Sequence, residues 1–293
     1  MKIAIFGRFF SDEFSIYIQH LIIKLESENC KLLVYSQFID FLKQKIDFNT
    51  DIESFSEKED LLKEKVDFLI SIGGDGTILD TIKLVEDSEI PILGINTGRL
   101  GFLSSISKDE INSSIEDILR KKYKIESRTL LKVNTSINLF GKNNYALNEL
   151  SILKNFSTSM ISIKAYINDD YLNTYWADGI IVATPTGSTA YSLSCGGPIL
   201  TPDSKNFIIT PIASHNLTVR PIVIPDSSII KLKVEGREQN FIIGLDSRSE
   251  TYKSSIELII KKEDFKINLI KIFNETYYST IRNKLMWGID KRN

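Results

Sequence analysis

VDFLISIGGDGTILDTIKLV, Val66 to Val85, decides how the first part of this chain folds. Its first seven residues are nearly all apolar, as a strand covered on both faces requires. From Thr77 the pattern changes, and Ile78, Ile82 and Val85 share one face of a helix. Between strand and helix lie three glycines around one carboxylate. Gly73, Gly74 and Gly76 are expected to take positive φ and to let a ligand approach the backbone closely. The unpaired N–H groups that open the helix suit an anion. Asp75 sits among them either as a plain helix cap or as a working group, accepting a proton from an attacking hydroxyl or holding a metal.

Strand and helix patterns alternate outward from this segment. KIAIFG, Lys2 to Gly7, precedes a helical stripe of Phe14, Tyr17, Ile18, Leu21 and Leu25, and KLLVYS follows. The stretch from Lys43 to Lys65 is charged and reads as irregular. IPILGINTG supplies a further strand and turn, and Lys108 to Lys122 reads as a surface helix burying Ile111, Ile115, Ile118 and Leu119. The fold expected for residues 1–127 is an α/β N-terminal domain with an open, mostly parallel sheet.

Near Arg128 the period changes to two. Leu131, Val133, Thr135, Ile137 and Leu139 alternate, as do Ile161, Ile163, Ala165 and Ile167. Strands are also expected at Gly179 to Thr184, Phe207 to Pro211, Ile229 to Val234, Phe241 to Leu245 and Ile256 to Ile260, with turns at Asn168-Asp169-Asp170 and Glu235-Gly236. An all-β, sandwich-like C-terminal domain over residues 128–262 follows. Residues 263–293, with the amphipathic YYSTIRNKLMWG, are expected to pack back on the first domain.

The formal charge of the 293 residues is −2, and no basic block stands out, which argues against nucleic acid or an anionic membrane as partner. Cys30 and Cys195 are the only cysteines, far apart, which argues against a disulfide framework or a four-ligand zinc site and fits a reducing cytoplasm. MKIAIFG runs too soon into Arg8, Asp12 and Glu13 for a signal peptide, and no apolar run approaches a membrane span.

A second unusual connection is TPTGSTAYSLSCGGPIL, Thr184 to Leu200. Ser188, Thr189, Ser192 and Ser194 can donate to phosphate or sugar oxygens, Gly187 admits close approach, and Tyr191 can stack on a ring. A plain Ser/Gly loop is the competing reading. Asn148-Glu149 and Asp178 lie at strand ends, where ligands collect and where solvated turn carboxylates are also common. His20 reads as a surface or packing residue. His215 reads either as a ligand-facing group or as a loop histidine bonded to backbone. Hydrolase triads, P-loops and protein-kinase signatures are absent.

Four blocks in order resemble the bacterial NAD kinase (ATP-NAD kinase) family: GGDGTIL at Gly73, NTGRLGFL at Asn96, LNELSI at Leu147 and DGIIVATPTGSTAYSLSCGGPI at Asp178. The first is shared with lipid kinases and phosphofructokinases; the fourth is specific to NAD kinases. The resemblance implies transfer of the γ-phosphoryl of ATP to the 2′-hydroxyl of the adenosine ribose of NAD. Asp75 would be the proton acceptor, with Gly76 beside it. A divalent cation, Mg²⁺ as the simplest choice, would be bound largely by the phosphates, with no protein cage. Asn148 and Glu149 would bind the dinucleotide, Glu149 accepting from ribose hydroxyls, and Asp178 would bind the nicotinamide carboxamide. Thr189, Ala190, Tyr191, Ser192, Leu193 and Ser194 would line the adenosine side, and Phe102 would pack near the adenine. Ala213 would close the pocket against a ring, and Asp246 matches a family aspartate in the last part of the site.

This chain departs from the family pattern in places. Asp80 stands where many members carry a basic residue, Arg248 where some have Gln, and Trp176 where some have Arg. The resemblance also implies a homodimer or homotetramer, with ATP or polyphosphate as donor. A lipid kinase of the diacylglycerol type and a non-catalytic NAD(P)-binding regulator are the competing readings.

Overall fold

The computed structural model describes residues 1–98, 101–104, 106–137, 139–155, 159–235, 240–253, 255–272 and 276–287. Arg99 and Leu100 of the NTGRLGFL block, Gly236 of the expected turn and Gly288 of the last expected helix lie outside the described residues. The chain divides into two compact units, Met1–Ser127 with Ile267–Asn293, and Arg128–Lys266.

In the first unit the strands order as Glu53–Phe55, Lys31–Tyr35, Lys2–Gly7, Phe68–Ile72 and Ile92–Ile95, each parallel to its neighbour. A sixth partner is the end of strand Ile256–Ile272, which pairs with Ile92–Ile95 through Leu269. Every residue of Phe68–Ile72 is buried, as the unbroken apolar run required. Helix Asp12–Ser27 packs Phe14, Ile18, Leu21, Ile22 and Leu25 into one cluster with Ile3, Ile5, Ile70 and Ile72. Truncating one of these isoleucines to alanine should cost about 2–5 kcal/mol.

Three expectations need correction here. Only Gly73 of the glycine turn has positive φ; Gly74 is extended, and Gly76 lies inside helix Asp75–Val85. A Cβ at Gly73 would strike the Thr77 side chain, whereas Gly74 and Gly76 face open space. The charged stretch 43–65 is not irregular: it holds the end of helix Ser36–Lys45, strand Glu53–Phe55 and helix Lys58–Lys63. Ile46, Phe55 and Leu61 of this stretch are buried, while its charges form ion pairs. The helix expected from Lys108 starts as a 3₁₀ turn, Lys108–Glu110, and becomes α-helical over Ile111–Leu119.

The second unit is a sandwich of two antiparallel layers. One is six-stranded, in the order Ile222–Pro225, Asn206–Ile212, Gly179–Ala183, Glu149–Lys154, Asn240–Leu245, Arg248–Lys253. The other contains Asp170–Ala177, Ile161–Ile167, Ile230–Glu235 and the first part of Ile256–Ile272. Ile152, Ile180 and Val182 of the first layer share a buried cluster with Ile163, Leu232 and Leu258 of the second. The period-two pattern begins with a strand at Tyr123, five residues before Arg128. The boundary expected at 262 falls inside the seventeen-residue strand Ile256–Ile272, and the division lies between Lys266 and Ile267. Helix Tyr277–Leu285, capped by Thr276, belongs to the first unit. Among the described residues no helix is long and apolar enough to cross a membrane.

Candidate active site

Asp75 opens its helix directly after the fully buried strand Phe68–Ile72, so the strand fixes where the carboxylate begins. The carboxylate is clamped by the segment after the next strand. Its Oδ2 accepts from the Phe102 amide at 2.7 Å, and its Oδ1 accepts from the Leu103 and Ser104 amides at 3.1 and 3.0 Å and from the Ser104 hydroxyl at 3.0 Å. Buried Asn96 donates in turn to the Ser104 hydroxyl at 2.9 Å. Gly101 lies against this carboxylate so closely that a Cβ there would overlap it. Asp75 is therefore no simple cap of its own helix: its charge is held by a neighbouring loop, beside two glycines that leave open space. Among the described residues Oδ2 takes a single bond, which leaves it the oxygen with room for a substrate hydroxyl. The Phe102 ring lies in the same unit, with the Lys284 ammonium 5.7 Å from its centre.

A second cluster lies at one end of the six-stranded layer. Asp246, at positive φ in the turn after Asn240–Leu245, accepts from the Leu147 and Asn148 amides at 2.8 Å and from the Glu149 amide at 3.2 Å. Both its oxygens are engaged, so it holds the backbone of Leu147, Asn148 and Glu149 in place. Burial pushes its carboxyl up, against the lowering effect of the three amides and of Arg248. Glu149 pairs across the strands with Ala183. Its Oε2 is buried without a hydrogen-bond partner among the described residues, and its carboxyl is pushed up to about 8 by burial first and by the Asp246 charge second, opposed by the Tyr191 amide.

The hydroxyl-rich segment locks onto this cluster. The Thr184 hydroxyl donates to the Leu147 carbonyl, and the Thr184 amide donates to the Asn148 carbonyl at 2.9 Å. Gly187 approaches that carbonyl so nearly that a Cβ would overlap it. Two hydroxyls expected to meet a ligand are internal. Buried Ser188 donates to the Pro185 carbonyl and accepts from the Leu200 amide, and buried Ser192 bonds Thr210 at 2.8 Å. Thr189, Ala190 and Leu193 are half-buried, and Tyr191 and Ser194 are exposed. Arg248 reaches back to the Asn143 and Tyr145 carbonyls with the Phe140 and Tyr145 rings beside it, so it braces the loop before Asn148.

The third group occupies the other end of the same strands. Gly179 pairs with Leu153 and with Ile212, which places Asp178, Lys154 and Ala213 together. The Asp178 carboxylate binds the Lys154 ammonium at 2.7 Å. Ala213 is exposed and has a φ of 45°, a conformation that costs a non-glycine residue energy and tends to cluster at ligand sites. The His215 amide donates to the Trp176 carbonyl at 2.8 Å, and the residue is exposed to solvent. Five strand positions separate Glu149 from Lys154, about 17 Å at 3.4 Å per residue.

In the second unit, two polar clusters at opposite ends of paired strands suit an elongated substrate; in the first, a carboxylate at a glycine turn suits phosphate chemistry. The comparisons agree. The ATP-NAD kinase N-terminal domain matches residues 3–123, and the ATP-NAD kinase C-terminal domain matches residues 147–272. This chain belongs to the NAD kinase family. It is 48% identical over 294 residues to an NAD kinase of Cytophaga hutchinsonii and 49% identical over 295 residues to one of Flavobacterium psychrophilum, in both cases over 100% of each chain. Among solved structures, an NAD kinase from Archaeoglobus fulgidus in complex with ATP is 26% identical with a TM-score of 0.72, covering 98% of this chain and 99% of that one. A yeast NADH kinase complexed with NADH, 23% identical with a TM-score of 0.86 over 99% of this chain and 89% of that one, shares the fold. NAD kinase activity is this chain's activity, and the lipid-kinase and regulator readings give way to it.

Phosphoryl transfer in NAD kinases depends on a divalent metal. Among the described residues no three His, Cys, Asp or Glu side chains converge to hold one. The Asp75 oxygens carry amide and hydroxyl bonds instead. Reading the sequence missed Gly101, although it stands beside Phe102 in a quoted block, Ser104, one residue past the end of that block, and Lys154, which carries no local signal at all.

Proposed function

We propose that Asp75 accepts the proton of the adenosine-ribose 2′-hydroxyl of NAD as that oxygen bonds to the γ-phosphorus of ATP. The bond from the γ-phosphorus to the oxygen it shares with the β-phosphate breaks, and NADP and ADP leave. The observation that carries this reading is the clamp of three amides and one hydroxyl on a carboxylate flanked by two open glycines. Phosphoryl transfer has a loose transition state, so most of the acceleration comes from positioning and charge, and the base matters late. The clamp supplies the positioning. It fixes which oxygen meets the hydroxyl, with Oδ2 the acceptor.

On the dinucleotide, Asn148 and Glu149 hold ribose hydroxyls, and Thr189, Ala190, Leu193 and Ser194 line the adenosine side, with Tyr191 offering its ring. Asp178, oriented by Lys154, takes the nicotinamide carboxamide, and Ala213 closes on a ring. Asp246 and Arg248 position the first of these groups through backbone contacts. Mg²⁺ enters with the nucleotide. A cytoplasmic location, supported by the two free cysteines, and a homodimer or homotetramer complete the reading.

The test incubates purified protein with NAD, ATP and Mg²⁺ and detects NADP with an NADP-specific dehydrogenase. Asp75→Asn should lower turnover by about 10² or more, the scale of a lost general base, while NAD binding measured by calorimetry persists. Normal turnover in Asp75→Asn removes the base assignment.

A further inference from the structure

The loop that clamps Asp75 is also held from its other side. It follows strand Ile92–Ile95, which lies between Phe68–Ile72, whose turn carries Asp75, and the end of strand Ile256–Ile272. Gly94 lets the loop settle on its strand, because a Cβ there would strike the Ser104 backbone. On the last strand Ile267, Leu269 and Lys271 are buried at every second position, so they share one face. A lysine breaks that apolar series. Taking an ammonium out of water is costly unless it is hydrogen-bonded, so its partner decides what it is there for.

The Lys271 ammonium donates to the Leu103 carbonyl at 3.3 Å. That carbonyl and the Ser104 N–H belong to the same peptide group, and the Ser104 N–H donates to Asp75 Oδ1 at 3.0 Å. One peptide unit therefore joins a buried cation to the carboxylate. A cation on the carbonyl oxygen draws electron density from the amide and makes its N–H a stronger donor, because hydrogen bonds in a chain polarise one another. The Leu103 N–H, on the preceding peptide, donates to the same Oδ1 at 3.1 Å. The C-terminal part of the chain touches this loop a second time, through the Lys284 ammonium 5.7 Å from the centre of the Phe102 ring.

Two plainer roles compete. A phosphate ligand has to reach the substrate, whereas Lys271 is 8% exposed and directed at the loop backbone. A structural brace would hold any nearby carbonyl equally well and would owe nothing to Asp75. The carbonyl actually held is the one whose peptide binds the carboxylate.

We propose that Lys271 is a positioning residue for phosphoryl transfer. Acting through the Leu103–Ser104 peptide, its ammonium fixes Asp75 Oδ1, so that Oδ2 stays turned toward the substrate hydroxyl. The inference rests on Asp75 as the base and adds what aims it.

The experiment uses the full chain, with Lys271→Met and Lys271→Arg made singly and in the Asp75→Asn background. Steady-state rates give kcat and the KM for NAD, and urea unfolding gives the midpoint. Lys271→Met should lower kcat about tenfold, equivalent to about 1.4 kcal/mol, with the KM for NAD within about twofold. Lys271→Arg keeps the charge and a donor and should retain about a third of the wild-type kcat or more. In the Asp75→Asn background Lys271→Met should cost less than about twofold, because the carboxylate it acts through is gone. If Lys271→Met does not fold, Lys271→Gln, a neutral donor, replaces it with an expected loss of about threefold or more. An unchanged kcat, an arginine variant no better than the methionine one, or the same loss in both backgrounds, as a brace would give, overturns the proposal. Normal turnover in Asp75→Asn alone sinks the base reading and this inference with it; impaired turnover there, with equal Lys271 effects in both backgrounds, sinks only the inference.

Discussion

Replacing Glu149 by Gln should remove a pH dependence that the fold builds into the second unit. Burial beside Asp246 moves this carboxyl from 4.5 to about 8, so it is neutral in the folded protein near pH 7 and charged in the unfolded chain. Between those two values the folded state holds one proton more than the unfolded state. Stability therefore falls as pH rises: the contribution is fully present below pH 4.5, is lost progressively above it, and levels off once the pH passes about 8. The slope is about 1.4 kcal/mol per pH unit, with a total no larger than about 5 kcal/mol. Glutamine has the shape of the neutral acid and cannot titrate. Urea unfolding of wild type and Glu149→Gln, followed in steps from about pH 5 to about pH 9, should show the variant gaining on the wild type up to about pH 8 and running parallel beyond it. The KM for NAD should show the same signature, with an apparent pKa near 8 in the wild type and a flat profile in the variant. Parallel stability curves across the whole range would refute the reasoning, because Glu149 would then be charged at neutral pH in both states.

Gly101→Ala should lower turnover about tenfold or more with little change in the KM for NAD, because the new methyl displaces the Asp75 carboxylate; steady-state rates decide it. Lys154→Met keeps the side-chain length and removes the partner of Asp178, so the KM for NAD should rise about threefold to tenfold, and an unchanged KM would take the Asp178 pair out of the nicotinamide site. Asp246→Ala orphans three amides and should destabilise the second unit by about 3 kcal/mol or more, read as a lowered unfolding midpoint.

Legibility followed the kind of physics involved. The strand Phe68–Ile72 and the helix after it were readable because periodicity records burial directly, residue by residue. The same rule recovered the alternating strands of the sandwich. It failed between Lys43 and Lys65, where a three-residue strand and a six-residue helix are too short to display a period and are held by neighbours. Positive φ at Gly74 and Gly76 was inferred from residue type alone, whereas Gly74 is extended and Gly76 helical, conformations open to any residue. The site was legible as motifs and illegible as wiring. Ser188 and Ser192 look like donors in the sequence, and only their packing against Pro185, Leu200 and Thr210 turns them inward. Lys154 is invisible because its role depends on the register that sets Leu153 opposite Gly179.

Two aspartates in this protein do the same thing with backbone amides, and comparing them separates a working acid from a structural one. Asp75 collects the amides of residues 102–104, and Asp246 collects those of residues 147–149. In each case three consecutive N–H groups converge on one carboxylate, so the number of hydrogen bonds does not distinguish them. Their neighbours do. Asp75 follows Gly74 and precedes Gly76, with open space at both, at the cost of two poor helix formers. Asp246 has Leu245 and Ser247 beside it instead, and burial raises its carboxyl. Its convergence instead delivers Asn148 and Glu149 to the end of a strand, where the Thr184 segment meets them. The glycines around Asp75 are thus the decisive part of the GGDG turn: the carboxylate alone would make a clamp, and the space beside it is what lets a substrate hydroxyl arrive.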